Sequence, residues 1–144
     1  MSEPSLIEFA YDCRVPFYDV DSMNIAWHGH YVKYFEQARC AWLEWIDYDY
    51  VQMHTDGFAW PVAQLHIKYI RPATFGQHLR VWVSLREYES CLKLDYRITD
   101  RDSGEVLTKG MTMQIAVRIA DQETQFQTPP SWQQKIRARM GRES

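Results

Sequence analysis

The chain has 144 residues, 46% of them apolar, and a net charge of -3 with both signs interspersed. That length suits one domain spanning residues 1–144 with a core large enough to stand without disulfides. The charge gives no electrostatic case for a nucleic-acid partner or an anionic membrane surface.

Cys13, Cys40 and Cys91 are odd in number, far apart and without a C-x-x-C pair, which argues against a redox motif or a zinc ribbon. Reduced thiols, an acidic start (MSEPSLIEFAYD) unlike a signal peptide, and no apolar run near the ~20 residues of a membrane span together predict a soluble, cytoplasmic protein.

In chain order, Glu8 to Pro16 reads as a first strand with Phe9, Tyr11, Cys13 and Val15 on one face. Asp19 to Gly29 is loop by composition. A helix begins near His30, with Tyr31, Phe35, Ala38, Trp42 and Trp45 as an apolar stripe widened by Val32, Tyr34, Leu43 and Ile46. Lys33, Glu36, Gln37, Arg39 and Glu44 are expected on its remaining surface. A polar, irregular or short helical stretch follows, up to Gly57. Four strands are then predicted: Phe58–Ile70, Leu79–Tyr88, Cys91–Thr99 and Val106–Ile119, with Gly110 as a bulge. Short connections favour antiparallel hairpins. Asp121–Thr128 reads as a loop, and a terminal helix runs from Ser131 to Met140, ending before Gly141. The fold class is α+β, with helices on one face of the sheet. The aromatic excess (15%) and the edge strands predict oligomerisation.

The chemistry concentrates in Val15 to Arg39. Asp19 and Asp21 lie two apart, so an extended backbone would aim them to opposite sides, one to a site and one to brace the loop; both also suit turn and cap positions. Asp21, His28, His30 and Glu36 are conceivable metal ligands, but the spacing carries no supporting signature, and a hydrogen-bonded or surface histidine is the plainer reading. The more specific feature is the combination of a carboxylate ahead of a helix whose first turn has free N–H groups for a developing oxyanion. Such a site suits an activated acyl group such as a thioester, which needs no serine or cysteine nucleophile. G-x-S-x-G, P-loop and G-x-G-x-x-G motifs are absent from the sequence.

The run Phe17-Tyr-Asp-Val-Asp21, Ile25-Ala-Trp-His28 and Tyr31-Val-Lys-Tyr-Phe-Glu-Gln-Ala-Arg39 resembles the signature of hotdog-fold acyl-CoA thioesterases of the 4-hydroxybenzoyl-CoA thioesterase type. Tyr69-Ile-Arg-Pro-Ala-Thr-Phe-Gly76, Ser90-Cys-Leu and Gly110 to Ala120 are similar to the family pattern as well, so the likeness covers roughly residues 8–121. It implies a curled antiparallel sheet wrapped around a long central helix. It also implies hydrolysis of an acyl-CoA or acyl-carrier-protein thioester without metal or cofactor, CoA being part of the substrate.

By the same resemblance Asp21 is catalytic, as nucleophile or as general base. The His28 N–H serves the oxyanion, and its side chain matches one found in a bacterial subgroup, where it assists. Trp27 lines the acyl pocket or fixes the loop. Asn24 stands where the family often has Gly; Asn tolerates the left-handed backbone next best, and the exchange bears on acyl specificity. The family's other class carries its carboxylate on the helix, where Glu36 is the matching candidate. Trp60 is a candidate pocket wall, and Arg71, Arg86 and Ser90 are candidate CoA contacts at strand ends. The Lys135–Arg139 run either reaches CoA phosphates or simply suits a helix C-terminus. The resemblance implies a homodimer or homotetramer. Two other function classes stay open: an enoyl-thioester hydratase or dehydratase, and a non-catalytic acyl-thioester binder.

Overall fold

A computed structural model describes residues 7–16 and 29–143. Strand β1 (Glu8–Arg14) is followed by helix α1 (Gly29–Trp45) and short helix α2 (Tyr50–Thr55). Strands β2 (Phe58–Ala59), β3 (Val62–Tyr69), β4 (His78–Glu87), β5 (Leu92–Asp100), β6 (Val106–Gln114), β7 (Val117–Arg118) and β8 (Glu123–Thr124) come next, and helix α3 (Pro130–Glu143) closes the order. The main sheet is antiparallel in the order β1-β4-β5-β6-β3; β2, β7 and β8 form a second, three-stranded sheet.

Period-two patterning decides which face of the main sheet meets α1. Leu79, Val81, Val83 and Leu85 of β4, with Leu92, Leu94, Tyr96 and Ile98 of β5, are all buried on the helix side. Their alternate neighbours Arg80, Trp82, Lys93, Asp95 and Arg97 line the outer side. Helix α1 buries Tyr31, Tyr34, Phe35, Ala38, Trp42, Leu43 and Ile46, the wide apolar sector its sequence predicts. Trp132 of α3 joins this core, edge-on to Trp42 and Tyr48 with ring centroids 6.1 and 5.4 Å away. Among the described residues no helix is long and apolar enough to cross a membrane.

Five sequence expectations need correction. The single strand Phe58–Ile70 is two, because Trp60-Pro61 breaks it: Pro61 has no N–H for a ladder, and Phe58–Ala59 turns instead to β7 in the second sheet. The last strand likewise stops at Gln114, after which Ile115 donates to the Pro61 carbonyl and β7 begins separately. Gly110 is not a bulge, since it pairs in register with both Ile67 and Tyr96. A Cβ there would lie 2.5 Å from Phe35 Cε2, so the ring of α1 occupies the missing side chain's place. The terminal helix passes through Gly141 to Glu143 rather than ending before it, and the loop Asp121–Thr128 contains β8.

Arg39 is the sixth difference. It was expected on the helix surface but is only 6% exposed. Its position, four residues after Phe35, places it on the stripe that faces the sheet. There its Nε donates to Tyr50 Oη at 2.9 Å and its Nη1 to Tyr96 Oη at 3.4 Å, and Tyr96 Oη shares a hydrogen bond of 2.7 Å with Thr112 Oγ1. The guanidinium thus ties α1 to α2 and to the sheet centre.

Candidate active site

Segment 17–28, outside the described residues, is flanked by Val15 and by the first turn of α1. Both of its anchors rest on one turn, residues 73–77. Before the segment, Val15 donates its N–H to the Gln77 carbonyl at 3.1 Å and accepts from the Gly76 N–H at 3.0 Å. After it, Tyr31 in the first turn of α1 accepts the Ala73 N–H on its hydroxyl at 2.9 Å. The Tyr31 ring also packs against Tyr69 at the end of β3, with centroids 5.4 Å apart. The turn itself is braced: Gln77 Oε1 accepts from the Thr74 N–H at 3.0 Å, and Gln77 Nε2 donates to Asp100 at 2.8 Å. Gly76 adopts φ +79°, the left-handed conformation that favours glycine.

The start of α1 is therefore held beside the end of β3, and the positive end of a 17-residue helix lies at that corner. Asp19, Asp21, Asn24, Trp27 and His28, which carry most of the sequence-based chemistry, lie outside the described residues. His30 lies within α1 and is partly buried. Glu36 is exposed on α1, beside Lys33, Gln37 and Cys40.

The remaining candidates separate. Trp60 is 6% exposed and stacks on Trp132 at 5.1 Å, yet it lines an apolar groove of about 780 Å³ together with Tyr50, Met53, Phe58, Pro61 and Ile119. Its carbonyl accepts from Gln114 Nε2 at 2.7 Å. Arg71, just past β3, pairs with Glu105 at 3.1 Å. Arg86 lies on the outer face of the sheet, where its Nε meets Asp95 at 2.7 Å. Ser90 donates to Glu87 at 3.1 Å. Arg86 and Ser90 line different grooves, so the structure does not bring these three together.

The basic run of α3 has structural partners. Lys135 pairs with Asp47 at 2.7 Å, Arg137 donates to Gln133, and Arg139 donates to the Trp45 carbonyl while its guanidinium lies 4.3 Å above the Trp45 ring. Those contacts fasten α3 to the end of α1.

Burial raises the pKa of all three thiols, that of Cys13 to about 11 with the Asp12 carboxylate adding to the effect. None is a thiolate nucleophile at neutral pH.

A Synechocystis structure described as a 1,4-dihydroxy-2-naphthoyl-CoA thioesterase superposes with a TM-score of 0.81 at 21% identity, covering 90% of this chain and 95% of that one. A Staphylococcus aureus protein solved in complex with CoA superposes with a TM-score of 0.83 at 14% identity, covering 98% of this chain and 89% of its own. At these identities the likeness establishes the hotdog fold. A provisionally named esterase of Synechocystis is 27% identical over 124 residues, 85% of this chain and 75% of the relative. The model of the thioesterase-like superfamily matches residues 15–140, from the last residues before the loop to the last turns of α3, and the chain belongs to that superfamily.

Proposed function

We propose that this chain is an acyl-CoA thioester hydrolase of the 4-hydroxybenzoyl-CoA thioesterase type, converting R–CO–S–CoA and water into a carboxylate and CoA. The observation that carries the reading is the shared tether. Val15 and Tyr31, on either side of the D-x-D segment, hydrogen-bond to one turn at the start of α1, in a chain of the thioesterase-like superfamily. Val15 and Tyr31 are so held on one turn beside the first turn of α1, and a carboxylate near helix N–H groups is the pair of functions that thioester cleavage needs.

In this reading the Asp21 carboxylate takes a proton from the water that attacks the thioester carbonyl, or attacks that carbonyl itself to form a mixed anhydride that water then hydrolyses to free the acid and the Asp21 carboxylate. The His28 N–H receives the oxyanion, the C–S bond breaks, and CoA leaves as the thiol after protonation. Trp27 lines the acyl pocket and Asn24 bears on acyl specificity, whereas Trp60, packed on Trp132 toward the other end of α1, is not assigned to that pocket. Arg71, Arg86 and Ser90 are the proposed CoA contacts; Arg86 and Ser90 would have to exchange their present partners Asp95 and Glu87. No metal or cofactor takes part. A second copy covers the open edge of β3, whose Leu65 and Tyr69 are each 42% exposed.

A thiol-release assay over short, medium, long and aromatic acyl-CoAs, with EDTA present, tests the reading. Release of CoA by the wild type and its loss in Asp21→Asn support it. Hydration of a crotonyl-type thioester with CoA still attached would reassign the protein as a hydratase. Tight binding with no turnover would make it a binder.

A further inference from the structure

The outer face of the main sheet carries a row of residues in direct cross-strand register: Ala10, Trp82, Arg97, Lys109 and Lys68, on β1, β4, β5, β6 and β3. Its last three members are cations on adjacent strands. With strands ~4.8 Å apart, the Cα positions of the three span roughly 10 Å. Like charges directly opposite one another destabilise a sheet. Among the described residues none of the three forms an ion pair with a carboxylate. In the flanking rows Asp95 is engaged by Arg86 at 2.7 Å, Asp12 by Arg80 at 2.7 Å, and Glu8 accepts from Ser84 Oγ at 3.1 Å. Lys68 and Lys109 are exposed, and Arg97 is held over the Trp82 ring at 5.2 Å. The whole chain carries -3, so this concentration of positive charge runs against the balance of the molecule. These cations border a groove of about 510 Å³ that also includes His66, Arg86 and Asp95.

We propose that this groove binds a di- or polyphosphate group. A guanidinium and two ammoniums side by side match several phosphate oxygens at once, and the groove has the size of a small-ligand site. A second copy presenting the same face would set cation against cation, which disfavours self-association there. The phosphate has two possible sources: a free diphosphate or nucleotide, or the nucleotide end of a CoA thioester. The proposal does not depend on the hydrolase reading, because its test is a binding measurement.

Isothermal titration of the wild-type chain with inorganic pyrophosphate should give saturable binding that weakens with salt. The Lys68→Gln/Lys109→Gln variant should bind about tenfold more weakly or worse, while unfolding at a temperature no lower than the wild type's. Arg97→Gln provides a second variant with the same expected loss. Absence of saturable binding, or equal affinity in both variants, overturns the proposal. Acyl-CoA kinetics separate the sources: a raised KM in the double variant assigns the site to the substrate's nucleotide, and an unchanged KM assigns it to a separate ligand.

Discussion

The ring of Phe35 fills the space that a side chain at residue 110 would need: Cε2 and Cζ lie 2.5 and 2.7 Å from the position of a Cβ on Gly110. The same ring stacks on Tyr96 with centroids 4.5 Å apart and an interplanar angle of 18°. The central helix therefore lays its Phe35 ring on the sheet at the point where β6 has no side chain. Gly110→Ala is expected to destabilise the protein by about 1–3 kcal/mol, the usual cost of overpacking a core. Urea unfolding measures it. Adding Phe35→Leu should recover part of the loss, because the two substitutions share one space.

Asp21 and Glu36 represent the two places where a hotdog thioesterase keeps its carboxylate. Glu36 is exposed on α1. Asp21→Asn is expected to lower kcat by about 10²–10⁴-fold with the fold intact, and Glu36→Gln to leave it within about twofold. Steady-state thiol release with the best acyl-CoA reads both; the opposite pattern would move the chemistry to the helix.

Asp56 joins three elements at the far end of the core. Its carboxylate accepts from Ser131 Oγ at 2.6 Å, from Tyr48 Oη at 2.7 Å and from Gln52 Nε2 at 3.3 Å. The Ser131 hydroxyl, then the Tyr48 and Gln52 donors, hold its pKa below the ordinary aspartate value of 3.8 against a smaller opposing effect of burial. A depressed folded pKa contributes stability above the unfolded value, and that contribution is lost as pH falls through the folded value. Asp56→Asn should therefore lower Tm by about 2–6 °C at pH 7. The gap to wild type should narrow as pH drops below the ordinary aspartate range, which thermal scans at stepped pH would show.

Strand β3 is an eight-residue edge with Leu65 and Tyr69 each 42% exposed and Ile70 44% exposed. Sedimentation should find the wild type as a dimer or larger. Leu65→Glu/Tyr69→Glu should shift it toward monomer, because it places like charges where two edges would meet. A wild-type monomer at micromolar concentration would remove the second copy from the proposed site.

The strands β4 and β5 and the wide apolar sector of α1 were legible from residue order because their signal is local. Alternation in Leu79, Val81, Val83 and Leu85, or spacing in Tyr31, Phe35, Ala38 and Trp42, depends only on neighbours along the chain. The D-x-D segment and the helix behind it read as a candidate site for the same reason, and of the two the described residues contain only the helix.

What tertiary structure alone decided is where distant partners determine the meaning of a residue. Gly110 reads as a bulge until the Phe35 ring is seen above it. Arg39 reads as a surface cation until Tyr50 and Tyr96 are seen to accept from it. The turn at 73–77 reads as a simple connection until it is found holding Val15 and Tyr31. The row Arg97, Lys109 and Lys68 is invisible in a sequence where its members lie far apart. Periodicity records which way a side chain points; only folding brings together the groups it meets there.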